Sequence, residues 1–404
     1  MKLWTIGIVL AVAAVPLLWP ADEPQSRLAP YRFPLDANPE GADGVEFLES
    51  RVARTPSGLD LAALARAYLK KARRTGRSRW IDEAEAAARR SLDALPVSNP
   101  GAVLALAEAA QMKHEFADSI ALCDRVLRDR PHDAGALALK ATAQLGLGDG
   151  AGALRSADTL VDRAPISEHL ALRAVVLSAG GHEREALHDF RRAASLEEPG
   201  DPEGSAWLRA MWARLALQRG RTDDAWDLLR EALRIHPWCP PALGLLGDLE
   251  LDLGRLDAAD QAFRDAYQVS GDPVFLARRA EVMRRRGDPA GAADLSAAAQ
   301  KALRATPGHR VQLARLLLET GSPEALSIAL DEATRRRNVE TLDTLARALV
   351  AAGRLSDARV AVRDAIRTGA LDARLHELAA QIETRLGCAS RARMHLEAAR
   401  EIRP

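Results

Sequence analysis

No sign of charge dominates this chain: its 404 residues carry 56 Lys and Arg against 56 Asp and Glu. That balance removes any global pull toward nucleic acid or an acidic membrane surface. Aromatic residues make up only 4% while hydrophobic residues reach 48%, so the core must be built of alanine and leucine, as close helix stacking needs. There are three cysteines, Cys123, Cys239 and Cys388, and no C-x-x-C pair, which excludes a zinc ribbon. An odd count leaves at least one thiol free in each chain unless molecules pair. No G-x-S-x-G, no phosphate-binding glycine loop and no repeated acidic metal loop occurs. Three fragments start like a zinc-protease motif: HEFAD at 114, HEREALH at 182 and HELAA at 376. None has its second histidine at i+4. His182 and His188 are six apart, which separates them by about 240° around a helix. The chain therefore reads as non-catalytic, with no metal and no cofactor.

What is present is a repeat. The phrase GRLDAADQAFRDAY from Gly254 returns as GRLSDARVAVRDAI from Gly353, and more loosely from Gly148, Gly181, Gly220 and Gly287. From Gly148 through Gly181, Gly220, Gly254, Gly287, Gly321, Gly353 and Gly387 the steps are 33, 39, 34, 33, 34, 32 and 34 residues. A period near 34 marks stacked helix–turn–helix units. After each glycine come a small residue, a larger apolar one and another small one, as in Ala259, Phe263 and Ala266. Those offsets lie on one helix face and let a neighbouring helix approach closely. Upstream of each glycine runs a second apolar helix, as at Leu243, Leu246 and Gly247. The glycine ends that first helix (A) in a positive-φ turn, and the second (B) packs back on it. Pro131, Pro165, Pro237 and Pro404 close their units.

These residues resemble the tetratricopeptide repeat. The resemblance runs over 59–404 and implies an all-α, right-handed α-solenoid of about ten repeats. One unit, centred on His114, lacks the turn glycine. A first, aberrant unit places Ala65 and Tyr68 in helix A and Ala84, Ala88, Ser91 and Pro96 in helix B, joined by a stretched turn, RRTGRSRW. If stacked repeats share only nearest-neighbour contacts, unfolding should broaden or split.

Residues 1–21 stand apart. Lys2 precedes an apolar run from Leu3 to Trp19, and Asp22 and Glu23 follow it, the pattern of an export signal with its positive end inside. It either remains as an inner-membrane anchor through residues 3–19 or is removed near Ala21. Residues 22–58, with five prolines and three glycines, read as a tether holding a short helix at VEFLESRVAR. The expected location is extracytoplasmic, in a bacterial periplasm, with the membrane touched only by the N-terminal segment.

The resemblance further implies that helix A residues line a concave groove for a peptide or a partner's helix. In this register the groove charges include Arg214, Asp248, Glu281, Arg315 and Arg347. No lysine stands at the position where relatives that grip chaperone tails need one, so that mode is not expected. Four of the seven tryptophans fall between 207 and 238. Trp212 and Trp226 take packing positions, whereas Trp207 takes a groove position and Trp238 an inter-repeat loop, making both candidate partner contacts near Arg214. They follow the insertion EEPGDPEGS, which accounts for the 39-residue step. The implied function is protein binding without nucleic acid, as an envelope scaffold or assembly factor. A holdase for exported chains, or a non-catalytic accessory subunit of an enzyme or transporter, is the alternative.

Overall fold

Twenty-one helices and no strand make up the described residues of the computed structural model, which are 28–33, 44–75 and 77–403. The apolar run of 3–19, read as an export signal, and the prolines of 34–43 lie outside them. No helix among the described residues is long and apolar enough to cross a membrane. After α1 (Val45–Arg54) the helices form ten pairs. The first five are α2 (Gly58–Thr75) with α3 (Arg79–Ala94), α4 (Pro100–Met112) with α5 (Phe116–Asp129), α6 (Ala134–Leu147) with α7 (Gly150–Arg163), α8 (Ser167–Ala179) with α9 (Glu183–Ser195), and α10 (Pro202–Gln218) with α11 (Thr222–Ile235). The last five are α12 (Pro240–Asp252) with α13 (Leu256–Ser270), α14 (Val274–Arg286) with α15 (Pro289–Arg304), α16 (Arg310–Glu319) with α17 (Glu324–Arg335), α18 (Val339–Ala351) with α19 (Leu355–Arg367), and α20 (Ala373–Arg385) with α21 (Ala389–Ile402).

The turn chemistry is local and regular. All eight clock glycines have φ between +68° and +94°. In the unit without a glycine, His114 itself takes the left-handed turn at φ +61°. Side chains of Asp149, Asp201 and Asp288 each accept a hydrogen bond from the amide of a glycine three residues on, at 2.8, 2.9 and 2.9 Å. Each such N-cap stabilises its helix by about 1 kcal/mol. The small–large–small face is buried as its spacing requires: Ala259, Phe263 and Ala266 are all fully enclosed. Cys123 fills the bulky position of its unit, and burial pushes its thiol and that of Cys239 up to about 11. Cys388 is half-buried, and all three thiols are unpaired.

Successive even-numbered helices touch one another along most of the array, whereas the odd-numbered ones are spread apart. The even set therefore lines the concave side and the odd set the convex side.

Three features differ from the sequence expectation. The stretched first turn is largely helix: α2 continues to Thr75 and α3 starts at Arg79, with Trp80 stacked on Tyr68 at 5.6 Å and flanked by Lys71 and Arg79. The described parts of 22–58 are not a free tether. α1 packs on α2 through Val45 and Val52, and residues 28–33 fold back onto α9, α10 and α11.

Third, the repeats contact more than their neighbours. The superhelix is wound so tightly that the turns of the second to fifth units dock on the loop following the unit five places later, and helix α2 of the first unit packs on the sixth. α2 reaches α13; the ring of His114 lies 5.6 Å from that of His309; the Arg337 amide donates to the Leu147 carbonyl at 2.9 Å. Asn338 Nδ2 donates to the Gly146 carbonyl at 2.7 Å. Gly181 sits so close to Gly369 that a Cβ there would overlap the Gly369 carbonyl oxygen, and Gly220 abuts Arg403. Turns at Gly254, Gly287, Gly321, Gly353 and Gly387 meet no other described residue in this way. A seam thus joins the two halves of the chain side by side.

Candidate partner-binding site

The regular units of the second half satisfy their own inner face. Arg278 Nε of α14 donates to Asp248 of α12 at 2.9 Å. Arg284 and Arg285 donate to Glu281 at 2.9 and 3.0 Å, and Arg284 also reaches Glu319 of α16. Arg315 of α16 spans to Glu340 and Asp343 of α18 at 3.1 and 3.3 Å, and Arg347 donates to Asp343 at 3.0 Å. Four of the charges expected to meet a partner, Asp248, Glu281, Arg315 and Arg347, are therefore already paired with other side chains of the array. Burial raises the Asp248 carboxyl in spite of Arg278. Burial also pushes Glu281 upward, but its hydrogen bonds from Arg285 and Arg284 outweigh that and hold it below the usual carboxylate range.

Arg214 differs. Its side chain is exposed, and no ion pair within 4 Å is formed with a described residue. Surrounding protein on the concave side pulls its pKa below the ordinary arginine value, countered in part by the charge of Glu340. It belongs to the inner face and does not line the recess beside Trp207 described next.

That recess lies where the period slips. The inserted loop, with α8 and α10, encloses a space of about 510 Å³ at the lip of the concave side. Trp207 forms one wall, half-buried against the core, with Ile166 and Leu196 opposite at 46% and 42% exposure. The charged residues of its lining are all acidic: Glu168, Glu197, Glu198 and Asp201. Glu197 is neutralised by Arg209 at 2.6 Å, and Asp201 caps α10. Glu168 and Glu198 form no ion pair with a described residue, so the rim keeps net negative charge. Trp238, 49% exposed, lies outside the recess, so the two candidate tryptophans are not brought into one site. Trp212 is buried against Phe190 in a stack at 5.9 Å, and Trp226 is half-buried beneath Arg255, as their positions require.

The HEREALH histidines line a different recess, of about 610 Å³, whose floor Arg173 occupies by pairing with Asp189 at 2.6 Å and Asp158 at 3.3 Å. No cluster of three or more His, Cys, Asp or Glu able to hold a metal occurs among the described residues. Sequence reasoning missed Ile166 and Leu196. Their signal was present, as apolar residues in the loops at the two ends of the α8–α9 unit, the second of them next to the insertion.

This geometry defines a helical-repeat solenoid with an open lip on its concave side, the architecture of a binding scaffold. The sequence profile of the tetratricopeptide repeat matches residues 216–266, from the end of α10 through most of α13, and the other helix pairs of the array repeat the same helix–turn–helix arrangement. No curated protein matches it. Among solved structures, the APC/C hetero-tetramer Cut9-Hcn1 is 18% identical with a TM-score of 0.50, over 89% of this chain and 64% of that one. The human IFIT1 dimer with PPP-AAAA is 15% identical with a TM-score of 0.48, over 92% of this chain and 96% of that one. The identities are low enough that the likeness speaks to fold alone.

Proposed function

We propose that this protein is an exported, non-catalytic scaffold or assembly factor of a bacterial envelope, binding one protein partner at the lip of its concave groove. The observation that carries this reading is the Trp207 recess: an apolar wall under an uncompensated acidic rim, beside an inner face whose second-half charges are paired. Such a site suits an extended partner segment that presents an aliphatic or aromatic side chain beside a lysine or arginine. The balanced charge of the whole chain and the paired inner face favour protein over nucleic acid as the partner. Export rests on Lys2 and the apolar run to Trp19.

Affinity capture with the full chain from the native envelope is the test. One stoichiometric partner, lost when Trp207→Ala is used as bait, supports the reading. Many weakly held unfolded clients would instead identify a holdase. A partner retained in full by Trp207→Ala removes the recess from the mechanism. Location is checked by a reporter fused after Pro404, which should be active only outside the cytoplasm.

A further inference from the structure

The N-terminal segment makes contacts that a filler would not need. Between the convex helices α9 and α11 the insertion leaves a slot, and residues 28–33 lie in it with Tyr31 only 7% exposed. Two buried charged side chains there are aimed at peptide backbone. The fully enclosed Arg209 donates from Nε to the Ala29 carbonyl at 2.8 Å while its Nη atoms hold Glu197 at 2.6 and 3.0 Å. Glu231, 2% exposed, accepts from the Tyr31 amide at 2.6 Å and is braced by Arg234 at 2.8 Å.

Side chain recognition is added to this backbone clamp. Tyr31 packs into the core, with Phe33 edge-on at 5.5 Å and the Arg209 guanidinium 5.8 Å from its ring. Arg32 donates to the Ser195 carbonyl at 2.8 Å, at the negative end of α9. Removing the segment would leave Arg209 and Glu231 each short of a partner in a buried place, which costs more than an empty apolar slot. An emptied slot therefore attracts another peptide of the same chemistry.

We infer that this slot is a peptide-binding site, that residues 28–33 are its resident ligand, and that a partner carrying an extended aromatic–arginine segment displaces them. The site is distinct from the Trp207 recess, on the opposite face of α10, and does not depend on that reading. A ligand tethered in the same chain competes at an effective concentration on the order of millimolar, so the intact chain binds such partners weakly.

The test uses the full chain and a fluorescent peptide of residues 26–34. Tyr31→Ala with Arg32→Ala empties the slot, and that chain should bind the peptide at least about tenfold more tightly than the unaltered chain does. A control peptide with the same two substitutions should not bind. Equal binding by both chains, or no preference between peptides, overturns the inference. A second protein guards against misfolding of the first: a protease site placed between Phe33 and Gly44, all slot residues intact. After cutting, the labelled peptide should replace the severed segment while helicity is kept. Failure to exchange in a chain that stays helical makes the segment a structural plug and ends the proposal.

Discussion

The turns of the first five repeats and those of the last five are written alike and used differently. Gly181 and Gly254 have φ of +81° and +73°, the same local conformation from the same residue. One is pressed against Gly369; the other faces open space. The inner and outer surfaces divide similarly. Units spaced 32 to 34 residues apart in the second half place Arg and Asp or Glu on adjacent helices within reach, and the surface neutralises itself. The unit displaced by the 39-residue step leaves a recess on one side and a slot on the other. Regular repetition satisfies a solenoid's own groups, and a break in the period leaves groups for something else to satisfy.

The largest test of this contrast is Gly181→Ala against Gly254→Ala. Both place a Cβ at positive φ, worth about 1 kcal/mol. Only the first also collides with a backbone carbonyl, so it should cost about 3 kcal/mol, read as a denaturation midpoint. The seam also changes the unfolding expected from stacked neighbours alone. The unaltered chain should unfold in a narrow transition, and Gly181→Ala should split it into two. Equal losses for the two variants would mean that the seam contributes nothing.

Acid should attack the same seam. Burial, with Arg336 and His309 beside it, pushes His114 down to about 4, while Asp272 opposes weakly. A histidine depressed in the folded state is protonated first in the unfolded chain. Stability therefore falls as pH drops from about 6.5 toward 4, by at most about 3 kcal/mol, and less for a ring that is partly exposed. Burial pushes the Asp272 carboxyl up, but its contact with His309 outweighs that and holds it below the usual carboxylate range, so it adds a further loss only at lower pH. Asn tolerates a left-handed turn, so His114→Asn should flatten the slope between pH 7 and 4.5. A residual slope from His376 and His395, both lowered by burial, remains.

The repeat, its ten units and the packing face were legible because turn chemistry and helical periodicity are local. The seam was not, because it follows from superhelical pitch, the sum of small rotations that no single residue encodes. The segment at 28–33 was hidden by its prolines, which read as linker. A signal did exist: Arg209 stands eleven residues before its turn glycine, where five other units carry leucine, Leu137, Leu170, Leu243, Leu276 and Leu342, and a buried charge asks for a partner. The recess was half legible, since Trp207 and the insertion were recognised while Ile166 and Leu196 were not. Arg214 and Trp238 were expected beside Trp207, but exposure alone does not set where a side chain converges.

Replacing the two tryptophans sharpens the contrast further. Trp207→Ala should weaken partner capture about tenfold or more, and should also lower the melting temperature by a few degrees because the ring is half-buried against the core. Trp238→Ala should leave both nearly unchanged, since its ring is 49% exposed and outside the recess. Equal losses of capture would place both rings in one interface and shift the site to the loop edge.

The smallest expected effect is in the ladder. Arg315 is 40% exposed along its side chain and contacts Glu340, Asp343 and the Thr344 hydroxyl. Exposed ion pairs contribute roughly 0 to 1 kcal/mol, because solvent screens them and ordering two long side chains costs entropy. Asp343 keeps Arg347 when Arg315 is lost, and Glu340, 41% exposed, keeps its hydrogen bond from Gln312, so no buried carboxylate is stranded. Arg315→Ala should therefore cost under about 1 kcal/mol, shrinking further at high salt. It should not change partner capture, because these charges are spent on each other. A variant that folds normally yet loses its partner would show that a ligand reopens the ladder, and the regular half would then be a binding surface too.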